Sequence, residues 1–350
     1  MPRRRLVLVL VAVAVVLGGV AAAATLRDDE PDQAEVAATT SSTTTTAPTT
    51  TTTAPTTTTT MPTTTAPPSP WPPLSGGPAR AVMTPTGLTL PVLADRGDGT
   101  YEVQTPCSNT AIVTGTPLSG AHIVLDPGHG GDEPGAVGPN GLAEKDLNLS
   151  VARLVADALR AQGATVVLTR DQDVRLTLST RALIATNLAP IAFVSIHHNA
   201  EPDGPSPGPG TEVYFQVASD PSRRLAGLLV EEVRAALSLL PAQWTSDVPN
   251  GAVARISARD GGDFYGILRR GGATTTVLSE AAYLSNPSEA DLLARPEVQQ
   301  VEAEAIARGI ERFQRGEAAA DAAYAPGGPL TQPSGGPGGG SSGCVDPALG

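Results

Sequence analysis

The chain has 350 residues, of which 40% are apolar, so it is long enough for one sizeable domain with appendages. Its formal net charge is −12. A nucleic-acid-binding protein needs a concentrated basic face, and the one basic run is the three arginines at residues 3–5. We therefore expect no nucleic-acid partner.

The first 26 residues have the pattern of an export signal. The three arginines precede an apolar run over residues 6–26, and such an arrangement holds that end in the cytoplasm while the rest crosses the membrane. Small residues at 21–24 favour cleavage, whereas the run is close to the ~20 residues that span a bilayer. Residues 1–26 are thus either a cleaved signal peptide or a retained single-span membrane anchor. Both alternatives predict an exported protein, at the outer face of the cytoplasmic membrane, in the periplasm or in the cell wall.

Two segments have too few apolar residues to form a core. Residues 27–78 are rich in Thr and Pro and predict a disordered stalk, because no buried surface offsets the entropy lost on ordering. Residues 316–350 are rich in Gly and Pro and predict a flexible tail. The two cysteines, Cys107 and Cys344, are too few for a disulfide framework, but in an oxidising compartment they could form one bridge between the tail and the preceding part of the chain.

The segment between stalk and tail predicts two folded parts. Residues 79–118 alternate β-type runs with turn signals such as Gly97-Asp98-Gly99, which predicts a small N-terminal β unit resembling an SH3 domain. In residues 119–315 strands alternate with helices, which predicts an α/β fold with a largely parallel, twisted sheet flanked by helices. The strands are predicted at 122–125, 165–168, 191–196, 212–215 and 275–278, and the helices at 148–162, 181–187, 223–240 and 298–315.

Polar residues follow three of these strands. His129 follows the first in a glycine-rich loop, His197 follows the strand at 191–196, and Glu280 follows the strand at 275–278. Glu144 lies just before the first long helix. Two neutral imidazoles and one carboxylate suit zinc with a fourth position open for water, and a second carboxylate near that water could take its proton. Each residue alone has an ordinary alternative, a surface histidine or a solvated acid, but their joint placement at element ends favours a zinc hydrolase.

The same segments resemble the zinc-dependent N-acetylmuramoyl-L-alanine amidases of the amidase 3 family. The resemblance covers about residues 122–315 and is carried, in chain order, by 123–131 with Glu144, Thr169-Arg170, Arg175-Leu176, 181–187, 195–200 and 277–286. It implies a cell-wall hydrolase that cuts the amide bond between N-acetylmuramic acid and L-alanine, with peptidoglycan as its partner.

The resemblance also implies roles for the four residues. His129, Glu144 and His197 would be the zinc ligands and Glu280 the catalytic base. Adjacent strand residues point to opposite faces, so only one of His197 and His198 reaches the metal, and the family pattern places the ligand at His197. His198 stands where the family usually has a small residue, and we expect it either to line the substrate groove or to be a surface group.

The segment between the histidine motif at residues 195–200 and Glu280 indicates whether the site is covered until a partner activates it. Some members of the family carry a long insertion there that covers the metal. Once the sheet's own elements are subtracted, residues 199–279 retain no amphipathic helix long enough to do so. We therefore predict a constitutively open site that needs no activating partner, in a monomeric protein.

Two other functions remain open. A zinc peptidase acting within the stem peptide would use the same metal chemistry, so the ligands do not separate it from an amidase. A non-catalytic wall-binding protein could keep the fold, although we would then expect the ligands or the base to be lost, and all four residues are present.

Overall fold

The structure is a computed structural model that describes residues 69–201, 204–246, 250–332 and 343–350. The predicted signal or anchor at residues 1–26, and the predicted stalk as far as residue 68, lie outside the described residues. Within the described ranges, no helix has both the length and the apolar character needed to cross a membrane.

The N-terminal β unit is a five-stranded antiparallel sheet. Its strands are β1 (Ala81–Met83), β2 (Thr89–Asp95), β3 (Tyr101–Gln104), β4 (Thr110–Val113) and β5 (Thr116–Leu118), in the order β4-β3-β2-β1-β5. Gly97 and Gly99 have φ of 75° and 84° in the turn between β2 and β3, which only glycine adopts without strain. The small β unit is therefore present, and its likeness to an SH3 domain stays a prediction.

A six-stranded sheet forms the centre of the larger part. Its strands are β6 (Ile123–Pro127), β7 (Val166–Leu168), β8 (Ala192–Asn199), β9 (Glu212–Phe215), β10 (Gly251–Val253) and β12 (Thr276–Tyr283), in the order β10-β9-β12-β8-β6-β7. The β9–β12 pairing is antiparallel and the others are parallel. A separate parallel pair joins β11 (Arg255–Ser257) to β13 (Leu330–Gln332). The predicted α/β fold with a largely parallel sheet is confirmed.

Helices cover both faces of this sheet. They are α1 (Glu144–Ala161), α2 (Leu178–Leu188), α3 (Asp220–Leu237), α4 (Gly266–Arg270), α5 (Pro287–Leu293) and α6 (Pro296–Gln314). One core contains residues of α1, α3 and α6 together with Val194 and Val277, and the other contains residues of α2 and α4 together with Phe193 and Leu278. Successive residues of β8 and β12 thus enter opposite cores, as strand alternation requires.

The predicted stalk ends earlier than residue 78. Trp71 is 5% exposed and lies against the ring of His122, with 5.5 Å between the ring centroids. Nε2 of His122 is 2.5 Å from the Pro72 carbonyl oxygen, and Gln314 Nε2 donates to the Pro70 carbonyl at 2.8 Å. The prediction of disorder is wrong for these residues because a large apolar side chain within the Pro-rich segment finds a place in the core.

The predicted flexible tail is also wrong where it is described. A 3₁₀ turn (Asp321–Ala323) and β13 pack onto the domain. Cys344 forms a disulfide with Cys107, which confirms the pairing considered from the sequence. Beyond it, Asp346 accepts hydrogen bonds from the Cys107 backbone N–H and the Thr105 hydroxyl, both at 2.7 Å. Long-range pairing partners, which composition does not reveal, hold this segment in place.

Candidate metal and catalytic site

Three elements bring His129, Glu144 and His197 together. His129 follows β6 with a φ of 60°, Glu144 is the first residue of α1, and His197 lies near the end of β8. A non-glycine residue in the left-handed region costs on the order of 1–3 kcal/mol and clusters at functional sites. The backbone at His129 is thus strained in the conformation that directs the imidazole toward the other two side chains.

The spacing of the three side chains suits a metal ion. His129 Nε2 lies 3.1 Å from Glu144 Oε2, and His197 Nδ1 lies 2.9 Å from Glu144 Oε1. One ligand atom from each residue fits within 4.8 Å of the others. Ligand atoms around a tetrahedral zinc with bonds of ~2.0–2.1 Å are roughly 3.3–3.4 Å apart, so small side-chain movements would admit the ion. Two imidazoles and a carboxylate are also a donor set that zinc favours.

Glu280 completes the cluster from the neighbouring strand. It is the Cα partner of His197 in the β12–β8 ladder, so both side chains leave the same face of the sheet. Its Oε2 atom is buried and finds no hydrogen-bond partner among the described residues. An unsatisfied buried carboxylate oxygen is costly, and a cation or a water molecule beside His197 would supply what it lacks.

The surroundings shift the pKa values of these groups. Burial raises the pKa of Glu280 well above its usual range, and the carboxylates of Glu144 and Glu212 add to the rise. Burial also acts to raise the pKa of Glu144, but hydrogen bonds with His129 and His197 outweigh it and the net direction is downward. Burial lowers the pKa of His197. An ionised Glu144 and a neutral His197 are the protonation states that metal ligands need.

Glycines allow this close packing. A Cβ on Gly128 would lie 2.1 Å from Cε1 of His197, and one on Gly135 would lie 2.4 Å from Oε2 of Glu144. The sequence shows only that the loop carrying His129 is rich in glycines. In the structure they also leave space for the ligand side chains.

A buried framework, to which the sequence assigned no role, holds the loop that carries His129. Asp126 accepts hydrogen bonds from Arg181 Nη1 at 2.7 Å and from the Ser195 hydroxyl at 2.8 Å. Arg181 also donates to the His129 carbonyl at 2.6 Å, and Arg170 Nη2 donates to the Gly128 carbonyl at 2.9 Å. Both arginines lie in segments that carry the resemblance, which was the available signal, but only their burial shows that they position the loop.

His198 is neither a groove residue nor a surface group, so both expectations for it were wrong. It is 1% exposed. Alternation along β8 sends its ring toward α1 and α6, where Nδ1 is 2.8 Å from Asn148 Oδ1 and Nε2 is 3.1 Å from Glu302 Oε2. The helices that cover this face of the sheet bury the ring on the side opposite His197.

A cavity of about 500 Å³ opens beside the cluster. His129, His197 and Glu280 line it together with Asp126 and Arg181. The remaining wall includes apolar side chains from the residues around the starts of α2 and α4, among them Leu176, Leu178, Tyr265 and Ile267. The arrangement can therefore hold an extended substrate with a polar reactive bond next to the cluster and apolar groups along the wall.

Over this region the chain is similar to proteins named as N-acetylmuramoyl-L-alanine amidases and to one uncharacterized protein. The model of the family described as N-acetylmuramoyl-L-alanine amidase matches residues 123–312. The uncharacterized protein YqiI of Bacillus subtilis is 37% identical over an alignment of 214 residues that covers 59% of this chain and 90% of that protein. The germination-specific N-acetylmuramoyl-L-alanine amidase of the same species is 34% identical over an alignment of 212 residues that covers 56% of this chain and 81% of that protein. Among solved structures, the amidase AmiC2 of Nostoc punctiforme is 34% identical and covers 55% of this chain and 96% of its own, with a TM-score of 0.45.

Proposed function

The chain belongs to the N-acetylmuramoyl-L-alanine amidase family, and on that basis we propose that His129, Glu144 and His197 hold a zinc ion beside Glu280 as catalytic base. As a member of the family it is a cell-wall hydrolase that cuts the amide bond between N-acetylmuramic acid and L-alanine in peptidoglycan. The zinc and the residue roles are the proposal.

One observation carries these roles. A three-residue cluster of zinc-type ligand atoms lies next to a buried carboxylate oxygen with no hydrogen-bond partner in the described structure. Since Glu280 and His197 leave the same face of the sheet, a cation or a water molecule held by the cluster would lie where it can pair with that oxygen.

The residues divide the chemistry between them. A zinc ion bound here would lower the pKa of a coordinated water and polarise the scissile carbonyl. Glu280 takes the proton from the attacking water and passes it to the amine that leaves as the carbon–nitrogen bond breaks. Arg181 and Arg170 hold the carbonyls of residues 127–129, which keeps His129 in place while the substrate binds.

The cellular location extends the same proposal. Peptidoglycan lies outside the cytoplasmic membrane, and residues 1–26 have the pattern of a signal peptide or anchor. The protein then acts in the wall or periplasm, and we expect it to do so as a monomer.

Digestion of purified peptidoglycan by the zinc-loaded protein tests the proposal. Mass spectrometry should find glycan with free lactyl groups and intact stem peptides, and Glu280→Ala should produce neither. Peptides shortened within the stem would support a zinc peptidase instead. Wall binding without any soluble product, from protein that contains zinc, would support a non-catalytic binding protein.

A further inference from the structure

His198 links the candidate site to a buried acid on a different helix. Its ring lies between Asn148 on α1 and Glu302 on α6, and the His198 and Glu302 side chains are both 0% exposed. Glu302 is 104 residues further along the chain, on a helix whose inward-facing neighbours are apolar. Burying a carboxyl group costs free energy unless it is paired, and an apolar residue would pack there at lower cost. The presence of the acid therefore needs an explanation.

The hydrogen bonds of Asn148 fix the orientation of the imidazole. Asn148 Nδ2 donates to Glu144 Oε1 at 3.2 Å and to the Gly128 carbonyl at 3.3 Å. Since these two partners are acceptors, the amide oxygen of Asn148 faces His198, and Nδ1 of His198 must carry a proton to donate to it. Nε2 then faces Glu302 Oε2 at 3.1 Å, and this second contact holds the ring in that orientation.

Asn148 contacts the candidate site at two points, the Glu144 carboxylate and the loop that carries His129. It lies one helical turn after Glu144 on the same face of α1, so its amide contacts the carboxylate directly. The Gly128 carbonyl that it also contacts immediately precedes His129 in the chain. A single amide thus orients one proposed ligand and the loop that carries another.

We propose that Glu302 and His198 are positioning residues that orient Asn148, and through it the Glu144 carboxylate, for zinc binding. The inference rests on the proposed function, because it takes Glu144 as a ligand. Hydrogen-bond partners behind a ligand typically change metal affinity by roughly 10- to 100-fold when they are lost. A pair that only joined α6 to α1 would change the stability of the zinc-free protein and leave zinc affinity alone.

Two measurements separate a positioning role from a role in joining α6 to α1. Zinc affinity is measured by competition with a fluorescent chelator, and stability by thermal unfolding of the zinc-free protein. In the double variant His198→Leu/Glu302→Leu both polar groups are replaced together, so no unpaired charge stays buried. We expect near wild-type stability without zinc and a zinc Kd raised by roughly 10- to 100-fold. Glu302→Gln should stay within about threefold of wild type, because its amide N–H can donate to Nε2 and keep the proton on Nδ1. If the double variant does not fold, Glu302→Leu alone takes its place with the same expected direction.

Two further variants complete the comparison. Gln299 is a matched control, since it also joins α6 to α1, through Ser150 at 2.6 Å, and its other side-chain hydrogen bond goes to the Leu293 carbonyl and not to Asn148. Gln299→Ala should leave zinc affinity unchanged. Glu144→Ala tests the premise: if it binds zinc as wild type does, the ligand assignment itself is wrong and the inference is lost with it. If Glu144→Ala loses zinc but the His198 and Glu302 variants bind it normally, the proposed function stands and the positioning role is overturned.

Discussion

Glu280 on β12 lies directly opposite His197 on β8, as Cα partners in adjacent parallel strands. Neighbouring strands are held about 4.8 Å apart by their backbone hydrogen bonds. The spacing between the proposed base and a proposed ligand is therefore set by the sheet and not by a loop. Removal of the Glu280 side chain should therefore leave the spacing of the two strands intact.

Glu280→Ala should retain the fold and zinc while turnover falls by roughly 10²- to 10⁴-fold, the range typical of a lost general base. The side chain contributes no hydrogen bond at Oε2, so its removal breaks no such contact there. Zinc content, circular dichroism and peptidoglycan digestion should be measured on one preparation. Turnover within threefold of wild type would remove Glu280 from the mechanism.

Gly128→Ala should weaken zinc binding although it removes no ligand. The new Cβ would lie 2.1 Å from the His197 ring, which must then move. Gly120→Ala is the matched control, because its Cβ would meet the Leu188 carbonyl at an ordinary 3.6 Å. We expect a raised zinc Kd for the first variant only. Equal affinities for the two would mean that the His197 ring can relocate without loss.

Asp126 predicts a loss of stability in acid. Burial acts to raise its pKa, but Arg181 and the hydroxyls of Thr169 and Ser195 lower it overall. A carboxyl whose pKa is depressed by folding contributes stability above its unfolded pKa of about 3.9 and loses it as pH falls through the folded value. The free energy of unfolding should therefore drop between about pH 5 and pH 2 by more in wild type than in Asp126→Asn. Parallel curves for the two proteins would contradict this.

The Cys107–Cys344 bridge spans 237 positions of sequence. Its loss in Cys107→Ala/Cys344→Ala should lower the free energy of unfolding by about 2–5 kcal/mol, because a long loop is no longer closed in the unfolded chain. Urea denaturation with and without reductant provides the measurement. Wild type should respond to the reductant and the double variant should not; an unresponsive wild type would show that the bridge adds no stability.

An open site remains a prediction for the purified protein, which should digest peptidoglycan without an activating partner. The small β unit should be kept in such a test, because Asn187 on α2 donates to the Val92 carbonyl on β2 at 3.0 Å. Protein that is inert alone but active with a wall-associated partner would indicate a cover over the metal. Deletion within residues 241–272 would then show whether that segment provides it.

Local sequence patterns predicted five of the six strands of the central sheet, all but β10, and selected four residues that the structure places close together. Residues 212–215, predicted as a strand, form β9 with the same bounds, because three of the four residues, Val213, Tyr214 and Phe215, are β-favouring and the segment is buried on both faces. The stretch from Phe264 to Leu268 is a short apolar run that leads into the five-residue helix α4. Short apolar runs do not separate helix from strand, so tertiary packing decided that segment.

Contacts between distant segments could not be read from local patterns. His198 carries no sign that its partner is Glu302, and the composition of the tail does not indicate that β13 pairs with β11. The two partners are far apart in sequence: His198 and Glu302 are separated by 104 residues, and β11 and β13 by more than seventy. Periodicity describes which face of an element is apolar, but it does not say which polar group on that face will meet another.

The disulfide between Cys107 and Cys344 also makes part of the backbone a closed ring. Every proposed site residue, from His129 to Glu280, lies within that ring between Cys107 and Cys344. One proteolytic cut anywhere in the ring opens it without releasing a fragment, and a piece can leave only after a second cut. In an oxidising, protease-containing compartment, a nicked molecule would thus keep its ligands and its base on one covalent framework.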